Sequence, residues 1–104
     1  MMNQVILVGR LTSDLVINEV NGKKRASVTL AVPRNYKNSN GEYDTDFINC
    51  VLWGALATNT MEYCKKGDIV GLRGKIETQK VEDKFVTEVI AEKVTFLSSK
   101  KESE

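Results

Sequence analysis

Tyr36, Tyr43, Phe47 and Trp53, four of the seven aromatic residues, crowd into the stretch 36–53, and Arg34 and Lys37 flank the first of them. Flat rings stack on unpaired bases at about 1–3 kcal/mol per base, while Lys and Arg follow the phosphates. This mixture is therefore the chemistry that holds a single nucleic-acid strand, and it tolerates any sequence because every base has a π-face. Within 47–53 the even residues Ile48, Cys50 and Leu52 are apolar and of modest size. The odd residues Phe47, Asn49, Val51 and Trp53 mix a polar amide with two large rings. Side chains alternate across a strand, so the even row is assigned to the core or a subunit contact and the odd row to the outside. Phe47 and Trp53 then stand about 20 Å apart on an open sheet. Parity alone also admits the opposite placement, with both rings in an ordinary core.

Other chemistries find no support. The chain has no histidine, which removes the commonest general base and metal ligand together. Cys50 and Cys64 lack a CxxC spacing, cannot make a zinc site alone, and read as small buried apolar residues in a reducing compartment. Gly71-Leu72-Arg73-Gly74-Lys75 has the wrong spacing for a phosphate-binding loop and lies within a strand pattern. Asp44 and Asp46 could hold a divalent ion, but at a loop–strand junction they read as solvating residues. Neither catalysis, nor a metal, nor a cofactor is expected.

The elements that position these residues follow from hydrophobic period and turn chemistry. Residues 4–11 read as a strand covered on both faces, and 15–20 continue as extended chain. Asn21-Gly22 signals a tight hairpin. The return strand at 25–32 puts Val28, Leu30 and Val32 on one face and is expected to end at Pro33, leaving 33–43 as a long polar loop. Strand pattern resumes at 46–53, and Gly54 breaks it. Residues 55–64 fit a short helix with Ala57, Met61 and Cys64 on one face, Lys65-Lys66 at its C-terminus and Gly67 as its stop. A long strand at 69–81, a reversal at Glu82-Asp83 and a strand at 84–91 extended through 92–97 complete the chain. Lys75 and Lys80 lie near the tip of this last hairpin, which borders the aromatic groove if the sheet closes, and Glu77 and Glu82 dilute their charge. Five strands with one short helix between strands 3 and 4 is the order of an all-β OB-fold, a five-stranded Greek-key barrel. A five-stranded α+β sandwich is the rival arrangement.

A chain of 104 residues and 11.6 kDa is one domain. Residues 1–97 form it, and the polar end 98–104 is expected to be disordered. The longest strictly apolar run, Val5-Ile6-Leu7-Val8, is far short of the roughly 20 residues that span a bilayer, and no signal peptide is recognisable. The net charge of +1 does not advertise an anionic partner, but it divides unevenly: residues 1–41 carry +4 and residues 42–104 carry −3.

Met2-Asn3-Gln4-Val5-Ile6-Leu7-Val8-Gly9-Arg10-Leu11, the Asn21-Gly22 turn, Val28-Thr29-Leu30-Ala31-Val32, Asp46-Phe47-Ile48-Asn49-Cys50-Val51-Leu52-Trp53-Gly54, Tyr63-Cys64-Lys65-Lys66-Gly67 and Val86-Thr87-Glu88-Val89-Ile90-Ala91 together resemble the bacterial single-stranded DNA-binding protein family, from Met1 to about Leu97. The resemblance implies an OB-fold, a homotetramer or at least a dimer, that coats single-stranded DNA in the cytoplasm during replication, recombination and repair. It places stacking aromatics at Tyr36, Phe47 and Trp53. A further family aromatic aligns with Val81 here. Lys37, Lys66 and Lys80 match commonly basic positions, whereas Glu77 and Gln79 stand where some members are basic. With Arg34, Asn49 and Lys75 these residues make the expected DNA-binding set. The expected subunit contact is Asn3, Gln4, Val5, Ile6, Leu7 and Val8 of the first strand, with Ile48. The sequence ends without the linker and acidic tip usual in the family, so recruitment of replication enzymes is not expected, as in a shortened chain or a phage or mobile-element form. Two other roles share the fold: a primosome accessory protein, and an OB domain whose aromatic face binds a protein.

Overall fold

The computed structural model describes residues 1–98. Its strands are β1 (Val5–Leu11), β2 (Ile17–Val20), β3 (Lys23–Lys37), β4 (Tyr43–Trp53), β5 (Ile69–Val81) and β6 (Lys84–Ser98), with α1 (Gly54–Tyr63) between β4 and β5. They hydrogen-bond in the order β1-β5-β6-β4-β3-β2, and β1 also pairs with β3. That last pairing closes β1, β5, β6, β4 and β3 into a five-stranded barrel and leaves β2 as a short addition to β3. The helix joins the third and fourth barrel strands in chain order, as the sequence predicts, and closure excludes the open sandwich. No helix among the described residues is long and apolar enough to cross a membrane.

Register explains which side chains fill the barrel. Ala26, Val28 and Leu30 of β3 lie opposite Leu52, Cys50 and Ile48 of β4. Cross-strand partners share a face, and Ala26, Val28, Leu30, Cys50 and Leu52 are all buried. Val70, Leu72, Val89 and Ala91 enter the same core from β5 and β6, and Ala57 enters from the helix. Each fully buried Leu contributes roughly 1.5–3 kcal/mol relative to exposure. Closure depends on Gly9: a Cβ there would lie 2.6 Å from the Ala31 carbonyl oxygen and 2.9 Å from Leu30 Cγ. The missing side chain lets β1 approach β3 closely enough for Arg10 to pair with Ala31 and Leu11 with Leu30.

Three expectations about boundaries fail. Pro33 does not end β3; it lies opposite Thr45, and the strand continues to Lys37 across a register shift between Pro33 and Lys37. Proline cannot donate to a ladder but is accommodated at a bulge. The expected loop therefore shrinks to 38–42, where Asn38 Oδ1 accepts from the N–H groups of Asn40 (2.8 Å) and Glu42 (3.0 Å). Gly67 does not stop the helix. Tyr63 is its last residue, Cys64 is already extended, and Gly67, at φ +94°, shapes the turn into β5 while donating to the Leu11 carbonyl. Met61 is exposed, and the helix buries Ala57 and Thr60 instead. The tight reversals appear where expected, at Asn21-Gly22 (φ 52° and 81°) and Glu82-Asp83 (φ 51° and 69°). Ser98 closes β6; the rest of the polar end, 99–104, lies outside the described residues.

Candidate nucleic-acid interface

The outer faces of β3 and β4 form one continuous surface. Arg25 lies opposite Trp53, Ser27 opposite Val51, Thr29 opposite Asn49 and Ala31 opposite Phe47. The small Ala31 leaves Phe47 68% exposed, whereas Trp53, opposite Arg25, is 37% exposed. Asn49 is exposed and accepts a hydrogen bond from Thr29 Oγ1 at 3.2 Å. Phe47, Asn49 and Trp53 thus point outward as expected, but Val51 does not reach solvent and is only 1% exposed. Arg25 of β3 and Glu88 of β6 form an ion pair at 3.5 Å, and β4 runs between those two strands. The Cys50–Val89 and Val51–Ile90 pairs put Glu88 level with Asn49, on the outer face. The Arg25–Glu88 bridge therefore passes diagonally above Val51 and covers it.

Beyond the barrel, β3 and β4 continue as a ribbon carrying Tyr36 and Tyr43, both exposed. Lys37 Nζ sits 5.9 Å from the Tyr43 ring, directly across the ladder. Arg34 is differently placed. Its Nε and Nη2 donate to Asp46 at 2.8–3.2 Å, Asp44 lies 3.9 Å away, and the guanidinium rests 6.0 Å from the Tyr36 ring. The hydrogen bonds from Arg34 hold the Asp46 carboxyl below the usual carboxylate range, and Asp46 raises the Arg34 pKa in turn. Arg34 thus steadies Tyr36 with its charge already matched by carboxylates.

Three other expected cations are dispersed. Lys75 lies 3.5 Å from Glu77. Lys80 is exposed further along β5, but it lies five positions from Lys75, an odd offset, so the two project from opposite faces of the hairpin. The expectation that both border one groove is not met. Lys66 lies in the connection between α1 and β5, its backbone N–H donating to Asp14 Oδ1 at 2.7 Å. Its cleft there is lined by Asp14, Leu15, Met61, Glu62, Cys64 and Lys65, without any residue of the aromatic face.

The model of the Single-strand binding protein family matches residues 2–97. The chain belongs to that family. It is 46% identical to single-stranded DNA-binding protein B of Bacillus subtilis (strain 168), over 96% of this chain and 94% of that one. It is 39% identical to single-stranded DNA-binding protein 1 of Clostridium acetobutylicum, over 98% and 99%. It is also 48% identical to the single-stranded DNA-binding protein of Bacillus cereus, over 93% of this chain but 61% of that longer one. A crystal structure of a deletion mutant of the single-stranded DNA binding protein from Thermus aquaticus superposes with a TM-score of 0.78 at 23% identity, covering 93% of this chain and 51% of that one. This likeness identifies the barrel as the OB-fold.

Within this member of the family, Arg25 is the residue beside the aromatic row that the sequence reading misses. Its guanidinium lies 5.8 Å from the Trp53 ring centroid. Alternation along 25–32 was the available signal, since it sets Arg25 on the face opposite Val28 and Leu30. The first strand is equally informative. Val5 and Leu7 pack against the core, as does Ile48. Ile6 and Val8 point outward and are 71% and 54% exposed. Asn3 exchanges two hydrogen bonds with the Ile76 backbone, at 2.8 and 2.9 Å, and so fixes the approach to β1; Gln4 is exposed. β1 pairs with β5 along Val5–Arg10 but with β3 only at Arg10 and Leu11. Its other edge, from Val5 to Gly9, has no strand beside it among the described residues.

Proposed function

We propose that this chain binds and coats single-stranded DNA with little sequence preference, in replication, recombination and repair, and without catalysis. The observation that carries the reading is the outward row of β4, where Phe47 stands uncovered and Trp53 half-exposed on the barrel of a single-strand binding family member. Bases stack on these rings and on Tyr36, Asn49 offers its amide between them, Lys37 supplies charge beside the stacks, and Arg25, matched by Glu88, rests beside Trp53. Lys80 serves phosphates along the β5–β6 hairpin, where Lys75 is matched by Glu77, Lys66 serves a more distant segment, and Arg34 acts chiefly through Tyr36. Phosphate contacts release counterions, so affinity falls as salt rises. The names of the curated relatives support this reading, and as relatives of bacterial proteins acting on DNA they favour a cytoplasmic setting.

The functional unit is a homo-oligomer, a homotetramer built from dimers. The open edge of β1 is a template for pairing with a second copy, and the exposed Ile6 and Val8 give it an apolar face. Trp53→Ala tests the binding site: oligo-dT affinity drops by about 1–3 kcal/mol in a folded variant. Unchanged affinity in a folded variant removes Trp53 from the site.

A further inference from the structure

The β5–β6 hairpin carries an exposed ring to which none of the roles above is assigned. Phe85 lies one residue beyond the Glu82-Asp83 turn and its Lys84 flank, is 72% exposed, and faces Lys80 directly across the ladder. A phenyl ring so uncovered contributes little to folding, and it shares its hairpin face with the exposed Ile76, so that face offers apolar surface for a contact outside the chain. Two other hairpin positions show the same cross-strand pairing of a cation with an exposed ring, Arg25 with Trp53 and Lys37 with Tyr43.

The two faces of the hairpin differ in charge. On one, Glu77 lies opposite Glu88, and the cations nearest them are consumed: Lys75 lies 3.5 Å from Glu77, and Arg25 lies 3.5 Å from Glu88. The other face presents Ile76, Thr78 and Lys80 against Phe85 and Thr87, with no carboxylate among the paired residues; Glu82 and Asp83 lie in the turn beyond. An anionic backbone finds only carboxylate-matched cations on the first face and finds Lys80 on the second.

We propose that the Lys80–Phe85 face is a separate single-strand contact, in which Phe85 stacks on a base and Lys80 holds the neighbouring phosphate. This rests on the single-strand-binding reading and extends it to a ring outside the β4 row. The occupant is a nucleotide and not a second copy of the chain, because a flat ring beside an unmatched cation complements a base and its phosphate.

The test is ultraviolet cross-linking of oligo-dT to the full chain, followed by trypsin. Cleavage after Lys84 and Lys93 isolates Phe85 in the peptide 85–93, where it is the single aromatic residue. Phe47 and Trp53 fall in a different peptide. Thymine attached to Phe85 is expected, together with a loss of oligo-dT affinity of roughly 5- to 100-fold in Phe85→Ala. Lys80→Gln should flatten the dependence of log K on log salt by about 0.7. Adducts confined to the Phe47/Trp53 peptide, with unchanged affinity in Phe85→Ala, overturn the proposal and leave the β4 site standing. Absence of adducts on both peptides removes the binding reading itself. A change in molar mass of Phe85→Ala without DNA, at unchanged affinity, makes this face a protein contact and also overturns the proposal.

Discussion

Arg34 and Asp46 show why residue type alone misjudges a phosphate site. An arginine beside a tyrosine on a polar ribbon reads as a backbone contact, yet its fork is filled by a carboxylate twelve residues away. Releasing it should expose a new cation. Asp46→Asn is expected to raise oligo-dT affinity at low salt and to steepen the slope of log K against log salt by about 0.7, as one further phosphate contact forms. A parallel salt titration of both proteins checks this, and an unchanged slope shows that Arg34 stays with Tyr36. Cys50 yields a different prediction. Burial pushes its thiol up to about 11 from 9.0. A group whose pKa rises on folding adds stability that is complete below the unfolded value and is lost as pH climbs through the folded one. Denaturant midpoints should therefore fall between about pH 9 and 11, and less steeply in Cys50→Ala; an equal fall in both proteins would assign the effect to other groups.

At the scale of elements, the strands were readable where the period of two was strong and the turn chemistry was local. Asn21-Gly22, the 69–81 strand and the apolar face of β4 all follow from neighbours in sequence. What escaped was decided by distant partners. Val51 is covered by an ion pair whose members are 63 positions apart, and Pro33 stays in its strand because β4 runs on beside it to Tyr43. Met61 shares a helical face with Ala57 on paper, but the barrel end that receives the helix takes Thr60 beside Ala57 instead. The Gly9 crossing is similarly tertiary in origin. Gly9→Ala pushes a methyl group into the Ala31 carbonyl and the Leu30 side chain, and should cost about 1–3 kcal/mol of stability, the usual range for overpacking. Urea denaturation measures this; a loss below a few tenths of a kcal/mol would mean that β1 and β3 separate without penalty.

For the whole molecule, a nearly neutral chain presents a nucleic-acid surface by segregation and not by excess charge. The residues of 1–41 carry the positive balance, and their strands β1 to β3 lie at one side of the aromatic row and along the open edge. The same barrel that displays Phe47 and Trp53 leaves the Val5–Gly9 edge of β1 unpartnered among the described residues, so the proposed assembly and the proposed binding use different surfaces. Replacing both Ile6 and Val8 by Glu should convert the oligomer to a monomer in light scattering while a short oligonucleotide still binds. A parent chain that is already monomeric would refute assembly through this edge. The central claim, that the outer row of β4 is where bases lie, meets its most direct test in fluorescence, because Trp53 is the one tryptophan in the chain. Titration with oligo-dT is expected to quench its emission to a saturable end point that added salt reverses. Emission that stays constant while light scattering reports full occupancy by the same oligonucleotide would place the DNA elsewhere.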